Sequence, residues 1–324
     1  MGGYFLAAMA LAGAPVPSVY PGICDGSAVI LTGPDRFVTI SDEEPAIYGF
    51  PLAGGPSISR LDLRAALGLP ADKEGDFEAA ARIGDTIYWI ASFGANKNGK
   101  AQPTRRQFFA TSVAADNTLT VLGSAPGDNG ARLFGALINH PKLSGYDWAK
   151  AATTPPKSVG GISIEGLAAT PSGALMIAFR NAPPEKGKKK REKALVVILT
   201  NPAEAAAGAT PILSDVVPID LGGRGVRDIV YRPARGDFLI LAGAIDSSGK
   251  FALYRWSDTS GRKPHKLFSD FGALNPEGLT LLNDGRLLVL SDDGEVPDLP
   301  GGAICKDVPA AQKKFRGMIL PSPD

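Results

Sequence analysis

One pattern recurs five times along this chain: an acidic residue, a short apolar stretch, a turn rich in glycine and aspartate, and a second apolar stretch. The acidic residues that begin the five units are Asp25, Glu78, Glu165, Asp228 and Glu277. Each unit has the composition of two β-strands joined by a hairpin. Further strand-like stretches follow most of these pairs, which indicates about four strands per unit. Four-stranded units repeated along a chain are typical of a β-propeller.

The fold class predicted from this repeat is all-β, a single β-propeller with five blades. The longest interval separates Glu78 from Glu165 and leaves a six-bladed ring as the alternative. Apolar residues in that interval recur at helical spacing: Leu133, Phe134, Leu137 and Ile138. We therefore interpret residues 131–151 as a short helical insertion. The propeller domain is expected to cover residues 21–324.

The last unit has fewer predicted strands than the others. A strand from residues 1–20 would complete that unit and close the ring, leaving no exposed edge there. Residues 4–14 are apolar and are alternatively the remnant of a signal peptide. Cys24 and Cys305 become neighbours in a closed ring, where they either form a disulfide or remain two free thiols. The predicted location is periplasmic or secreted, with a cytoplasmic location as the alternative.

The charge balance argues against a nucleic-acid partner. The formal net charge is +1, so no overall field attracts the protein to a polyanion. A basic run at residues 186–191 has the composition of a solvated loop. No segment is long enough to span a membrane as a helix. The expected partner is a small anionic molecule, and the expected state is a monomer.

Acidic side chains are expected to gather at one mouth of the central channel. In an antiparallel blade, the first strand starts at the same end at which the second strand finishes. Grouped carboxylates raise one another's pKa unless a cation offsets them, and Ca²⁺ prefers carboxylate oxygens. The predicted Ca²⁺ ligands are Asp25, Glu78, Glu165, Asp228, Glu277 and Asp292.

Three of these acids are also the predicted catalytic residues, which activate water: Glu78, Glu165 and Asp228. Polar and cationic side chains expected at the same rim are predicted to bind an anion: Arg180, Arg227, Lys97 and Asn96. The alternative for the acids is architectural, because a carboxylate at a strand entry can accept hydrogen bonds from backbone amides.

Several short motifs together resemble a bacterial domain family of unknown function, number 3616. They include Ile23-Cys24-Asp25, Ile164-Glu165-Gly166-Leu167-Ala168, Gly223-Arg224-Gly225-Val226-Arg227-Asp228 and Asn275-Pro276-Glu277. The motifs extend from about residue 21 to residue 320. The family has no established activity to transfer to this chain.

The repeated Glu-Gly motif is also similar, more distantly, to that of phytase-like and esterase-like propellers. That resemblance implies acids that hold Ca²⁺ at the channel mouth. Phe93 departs from the pattern, because a histidine is expected after Ser92. Any role of a ring nitrogen at that position is therefore absent from this chain.

The function predicted from the sequence is a Ca²⁺-dependent hydrolase of a small anionic ester, such as a phosphoester, at the channel mouth. The alternative is a non-catalytic propeller that binds a ligand or a protein there. The sequence leaves open whether the chain is an enzyme.

Overall fold

The chain forms a β-propeller of five blades. The computed structural model describes residues 16–123, 126–188, 192–246, 248–257, 263–297 and 302–323. Five four-stranded antiparallel sheets make up the blades, as the acidic repeat predicts. No sixth sheet is present in these ranges, so the five-bladed prediction is confirmed.

The twenty strands are numbered in chain order, and the innermost strand of each blade is given first. Blade 1 contains β2 (Ile30–Leu31), β3 (Arg36–Ile40), β4 (Ala46–Pro51) and β5 (Ser59–Asp62). Blade 2 contains β6 (Phe77–Ile83), β7 (Thr86–Ala91), β8 (Phe108–Val113) and β9 (Leu119–Val121). Blade 3 contains β10 (Ser163–Ala169), β11 (Leu175–Asn181), β12 (Ala194–Leu199) and β13 (Leu213–Ile219). Blade 4 contains β14 (Gly225–Arg232), β15 (Asp237–Gly243), β16 (Ala252–Trp256) and β17 (His265–Phe268). Blade 5 contains β18 (Pro276–Leu281), β19 (Leu287–Ser291), β20 (Lys314–Leu320) and, outermost, β1 (Ser18–Pro21).

The helices are short and lie in the connections. They are α1 (Arg64–Leu67), α2 (Asn129–Asn139), α3 (Trp148–Ala151) and α4 (Pro202–Ala206), with 3₁₀ turns at Pro103–Arg105, Pro126–Asp128, Pro141–Leu143, Cys305–Asp307 and Ala310–Gln312. Helices α2 and α3 form the insertion predicted between blades 2 and 3. Leu133 and Leu137 of α2 are fully buried against these two blades. No helix in the described ranges has the length and apolar character needed to span a membrane.

The N-terminal strand closes the ring. Strand β1 pairs antiparallel with β20, which makes it the fourth strand of blade 5. Tyr20 of β1 is fully buried, and its ring contacts Phe315 of blade 5 and Phe37 of blade 1 at centroid distances of 5.0 and 5.3 Å. The closing strand that the sequence offered as one alternative for residues 1–20 is therefore present at Ser18–Pro21. A signal remnant, the other alternative, would lie in residues 1–15, outside the described ranges.

A disulfide lies next to this closure. Cys24 and Cys305 are bonded, with their Cα atoms 5.7 Å apart and a sequence separation of 281. The pairing that the sequence left open therefore exists in the structure. It links the segment after β1 to the loop that precedes β20, so a covalent bond supports the hydrogen-bonded closure.

The core is divided among the five interfaces between neighbouring blades. Between blades 4 and 5, for example, Leu239 and Leu253 pack against Leu279 and Val289. The inner strands approach closely where the repeat places glycine. A Cβ on Gly166 would lie 2.9 Å from a methyl group of the next blade. This packing fixes the spacing of the inner strands around the channel.

Candidate functional site

In blades 2 to 5, the innermost strand has an irregular register near its start. At least one residue there is left out of the pairing with the second strand, which is the geometry of a β-bulge. These residues are Glu78 in blade 2, Glu165 in blade 3, Arg227 in blade 4, and Glu277 with Gly278 in blade 5. The bulges therefore place one charged side chain from each of these four blades at the same level of the ring.

Blade 4 departs from the predicted repeat by one residue. The sequence aligned Asp228 with Glu165, but the register pairs Asp228 with Leu241, just as Gly166 pairs with Ala178. Arg227 is thus the structural counterpart of Glu165. The prediction failed because blade 4 has an arginine at the bulge, followed directly by an acid.

Three carboxylates from three blades converge. Oxygen atoms of Glu78, Glu165 and Glu277 lie within 4.8 Å of one another. Their side chains are buried, with 9%, 1% and 6% of the residue surface exposed. We call these residues the glutamate trio. All are among the predicted metal ligands, and the sequence placed them at one mouth of the channel.

Two buried arginines are bonded to this trio. Arg180 Nη1 lies 2.8 Å from Glu165 Oε1, and Arg227 Nη1 lies 3.0 Å from Glu165 Oε2. Arg227 Nη2 also donates a hydrogen bond to Glu277 at 2.7 Å. The sequence assigned both arginines to an external anion. In the structure their guanidinium groups contact glutamates instead, because they are buried at the same level of the ring.

Glu78 differs from its two neighbours because it has no ion pair and no side-chain hydrogen bond within the described part of the chain. Burial, followed by the negative charges of Glu165 and Asp76, raises the pKa of Glu78 well above its usual value. A carboxylate that is nine-tenths buried and unpaired is costly unless it holds a proton or meets a cation.

The pKa values of the other two glutamates are shifted in opposite directions. Burial raises the pKa of Glu277 to about 8, despite the opposing charge of Arg227. Burial alone would also raise the pKa of Glu165, but Arg180 and Arg227 hold it below its usual value. Near neutral pH the trio therefore contains one firmly ionised carboxylate and two that retain protons readily.

The remaining predicted acids lie outside the trio and have backbone or hydroxyl partners. Asp25 accepts hydrogen bonds from Ser27, Ser41 and the Asp42 amide, and it precedes β2 by several residues. Burial raises its pKa to about 6. Its contacts fit the architectural alternative.

Asp228 and Asp292 have similar roles. Asp228 accepts hydrogen bonds from the amides of Ile229 and Leu279, both at 2.7 Å, and so joins blade 4 to blade 5. Asp292 accepts a hydrogen bond from the Gly294 amide at 2.9 Å. Neither carboxylate belongs to the group within 4.8 Å.

The loop after β7 carries the other predicted anion contacts. Asn96 accepts hydrogen bonds from the amides of Asn98 and Lys100, and its side chain therefore shapes the loop itself. Lys97 is exposed. Phe93, where a histidine is expected, is buried and packs edge-on against Phe134 of α2 at 6.0 Å.

Two charged residues beside the trio are absent from the site predicted from the sequence, Asp76 and Arg105. Asp76 is 9% exposed and accepts a hydrogen bond from Ser92. Arg105 Nη1 lies 3.1 Å from the Asp76 carboxylate. Asp76 precedes Glu78 by two residues, but no other blade has an acid at that offset. The repeat therefore gave no signal for it.

The comparison with protein families supports the resemblance seen in the sequence. The model of a family described as "Protein of unknown function (DUF3616)" matches residues 213–286. This segment contains blade 4 and the start of blade 5, with Arg227, Asp228 and Glu277. No curated protein matches the sequence.

Solved structures are similar only at low identity. The PQQ-bound aldose sugar dehydrogenase from Streptomyces coelicolor aligns at 12% identity and a TM-score of 0.39, over 94% of this chain and 100% of that chain. Virginiamycin B lyase from Staphylococcus aureus aligns at 9% identity and a TM-score of 0.35, over 84% and 65%. The extracellular domain of BT4673 from B. thetaiotaomicron aligns at 11% identity and a TM-score of 0.36, over 83% and 25%, so this chain spans a quarter of its length. At these values no neighbour's activity bears on this chain.

Proposed function

We propose that the glutamate trio binds one divalent cation, Ca²⁺, and that the protein hydrolyses a small anionic ester at this site. The observation that carries the proposal is Glu78. It is buried, it has no partner among the described residues, and it lies within 4.8 Å of two further carboxylates. A hard cation would satisfy all three groups, because such ions prefer carboxylate oxygens.

The charge balance supports an anionic substrate. With all three glutamates ionised, the trio carries three negative charges, and Arg180 and Arg227 contribute two positive ones. One divalent cation would therefore change the sum over these five side chains from one negative to one positive charge. A buried site with a positive charge favours an anionic ligand over a neutral one.

The chain's own residues would divide the chemistry between them. A bound divalent cation lowers the pKa of a coordinated water and polarises an ester oxygen. Glu165, held ionised by Arg180 and Arg227, is the permanent negative ligand. Glu277, whose pKa is about 8 in the metal-free site, is the ligand that would release a proton when a cation binds near neutral pH. Arg227 orients both carboxylates, since it contacts Glu165 and Glu277 together.

The predicted roles of the other residues remain proposals. Asp25, Asp228 and Asp292 have partners that explain their burial, so we assign them to the architecture of the ring. Lys97 and Asn96 remain candidates for contacts to a ligand from the rim. Their loop connects β7 to β8, and β7 ends at the level where the inner strands begin.

A second candidate function is a non-catalytic ligand-binding propeller. One observation favours it: the guanidinium groups of Arg180 and Arg227 already contact Glu165 and Glu277. A substrate anion would then have few cationic groups other than the metal ion itself. Metal binding without turnover would favour this second function.

We also propose a secreted or periplasmic location. The Cys24–Cys305 disulfide supports it, because structural disulfides persist in oxidising compartments. Extraction of cells directly into a thiol-trapping reagent would leave both cysteines unlabelled if the proposal is right. Free thiols on both residues would contradict it.

The hydrolase is tested by assaying a panel of small phosphoesters and carboxylate esters with Ca²⁺ and with a chelator. Turnover that requires Ca²⁺ and is lost in Glu78→Gln is the expected result. Glu204→Gln is the matched control, because Glu204 is an exposed glutamate in α4. Turnover that persists in Glu78→Gln, or that is unchanged by the chelator, would contradict the proposal.

A further inference from the structure

Asp76 adopts a backbone conformation that is unfavourable for most residues. Its φ is +54°, and Phe93, across the end of the same hairpin, has a φ of +60°. Aspartate tolerates this left-handed region better than most residues, but phenylalanine does not. The Ser92 amide donates a hydrogen bond to the Asp76 carbonyl at 2.9 Å, so the two strained residues lie close together at the open end of this hairpin. Such strain persists only where surrounding contacts hold it.

The Asp76 carboxylate at this open end pairs with Arg105. Arg105 Nη1 lies 3.1 Å from Asp76 Oδ2, and its Nη2 contacts Glu74. Nη1 also donates a hydrogen bond to the Ala95 carbonyl at 3.1 Å. Both ends of the guanidinium group are therefore engaged by groups outside the trio. The Arg105 side chain is 12% exposed.

Arg105 is nevertheless close enough to Glu78 to interact with it electrostatically. Burial alone would lower the pKa of Arg105, but Asp76, Glu74 and Glu78 together raise it. No ion pair within 4.0 Å joins Arg105 to Glu78 in the described structure. Thus a neighbouring cation that is not bonded to the trio is paired with two other carboxylates, Asp76 and Glu74.

We propose that Asp76 is a positioning residue that keeps the Arg105 guanidinium away from Glu78, so that Glu78 stays available to a cation. Without the Asp76 charge, Arg105 loses one of its anchors and gains Glu78 as the next carboxylate. An arginine on Glu78 would then compete with the metal ion. This inference rests on the proposed metal site, and it explains why the unpaired glutamate of the trio lies beside a largely buried arginine that does not bond to it.

Calorimetric titration with Ca²⁺ tests the inference through a double-mutant cycle. Asp76→Asn removes the charge and keeps a residue that tolerates the left-handed region. It is expected to weaken Ca²⁺ binding by about tenfold or more, because a competing cation reaches Glu78. The double variant Asp76→Asn with Arg105→Gln is expected to recover most of the affinity, since the competitor is gone.

Asp293→Asn is the matched control. Asp293 accepts a hydrogen bond from Ser291 and pairs with Arg316 at 2.7 Å in blade 5, which is the same arrangement without Glu78 nearby. It is expected to lower the unfolding temperature and to leave Ca²⁺ affinity unchanged. If Asp76→Asn does not fold, Arg105→Gln alone tests the inference. The inference requires that Arg105→Gln binds Ca²⁺ at least as tightly as the wild type, and weaker binding would overturn it.

Unchanged affinity in Asp76→Asn would overturn the inference and leave the metal site standing. A loss that the double variant does not recover would also overturn it, since a purely structural role predicts additive losses. If the wild-type protein binds no Ca²⁺ at all, the proposed function fails first and this inference fails with it.

Discussion

At the scale of single residues, the charge of the site depends on one departure from the acidic repeat, which lies in blade 4. Four blades supply an acid near the start of the inner strand, whereas blade 4 supplies Arg227 at the bulge and Asp228 directly after it. The sequence alone favoured Asp228 as the counterpart of Glu165 in blade 4, because the repeat is defined by an acidic residue. Only the pairing register separates the two neighbours. A one-residue offset changes which way a side chain points in a strand.

The raised pKa values give a testable pH dependence for the metal-free protein. Glu277, with a pKa of about 8, keeps its proton in the folded state where an unfolded glutamate has lost it. Glu78 acts in the same direction, and so does Asp25, with a pKa of about 6. A proton that only the folded state retains contributes stability that is complete below the unfolded pKa and is lost as pH rises through the folded pKa.

We therefore expect the unfolding temperature to fall between about pH 5 and pH 8 in the presence of a chelator. Thermal unfolding followed by circular dichroism measures it. Glu78→Gln cannot ionise and is expected to show a shallower fall. A wild-type unfolding temperature that rises or stays constant over this range would contradict the assignment of buried, protonated carboxyl groups.

At the scale of elements, the strands and the helical insertion were predictable, whereas the bulges were not. Alternation of apolar residues and hairpin turns locates strands such as β10 and β11, and the spacing of Leu133 and Leu137 locates α2. A bulge depends on the pairing partner, which the sequence of one strand does not specify. In blade 1 the sequence predicted an inner strand that begins at Asp25. Strand β2 begins only at Ile30, and Asp25 accepts a hydrogen bond from Ser41 instead.

The glycine after the bulge is expected to be required for packing between inner strands. In Gly166→Ala the new Cβ would lie 2.9 Å from Val226 Cγ1 and 3.0 Å from Ala178 Cβ. We expect the free energy of unfolding to fall by about 1–3 kcal/mol, the usual cost of overpacking. Denaturant unfolding measures this change.

Gly135→Ala is the matched control for that substitution. Gly135 lies within α2, and no neighbouring atom lies within 4 Å of the position that a Cβ would take there. Alanine there is expected to raise the free energy of unfolding by about 0.5–1 kcal/mol through helix propensity. An equal response of the two variants would show that the close approach at Gly166 is unimportant.

At the scale of the whole molecule, the ring is closed by β1 and by the Cys24–Cys305 disulfide. The sequence suggested both, because the last unit lacked strands and a closed ring makes the two cysteines neighbours. It did not distinguish the bond from two free thiols, since the distance between two loops depends on how the blades pack. The structure brings the two Cα atoms to 5.7 Å.

Removal of the disulfide is expected to weaken this closure. The Cys24→Ser and Cys305→Ser double variant should lose about 2–5 kcal/mol of unfolding free energy. Amide hydrogen exchange should accelerate first in β1 and β20, which form the closing pair. Addition of a reductant should destabilise the wild type and leave the double variant unaffected. A double variant as stable as the wild type would show that strand pairing alone closes the ring.

We infer that Glu78 is left unpaired in the buried glutamate trio because a cation binds there. Titration calorimetry with Ca²⁺ at neutral pH, on the wild type, Glu78→Gln and the exposed control Glu204→Gln, tests it most directly. We expect one bound ion for the wild type and for Glu204→Gln, and a loss of binding by about tenfold or more for Glu78→Gln. A wild type that binds no Ca²⁺, or a Glu78→Gln variant that binds it as tightly as the wild type, would contradict a metal site at the glutamate trio.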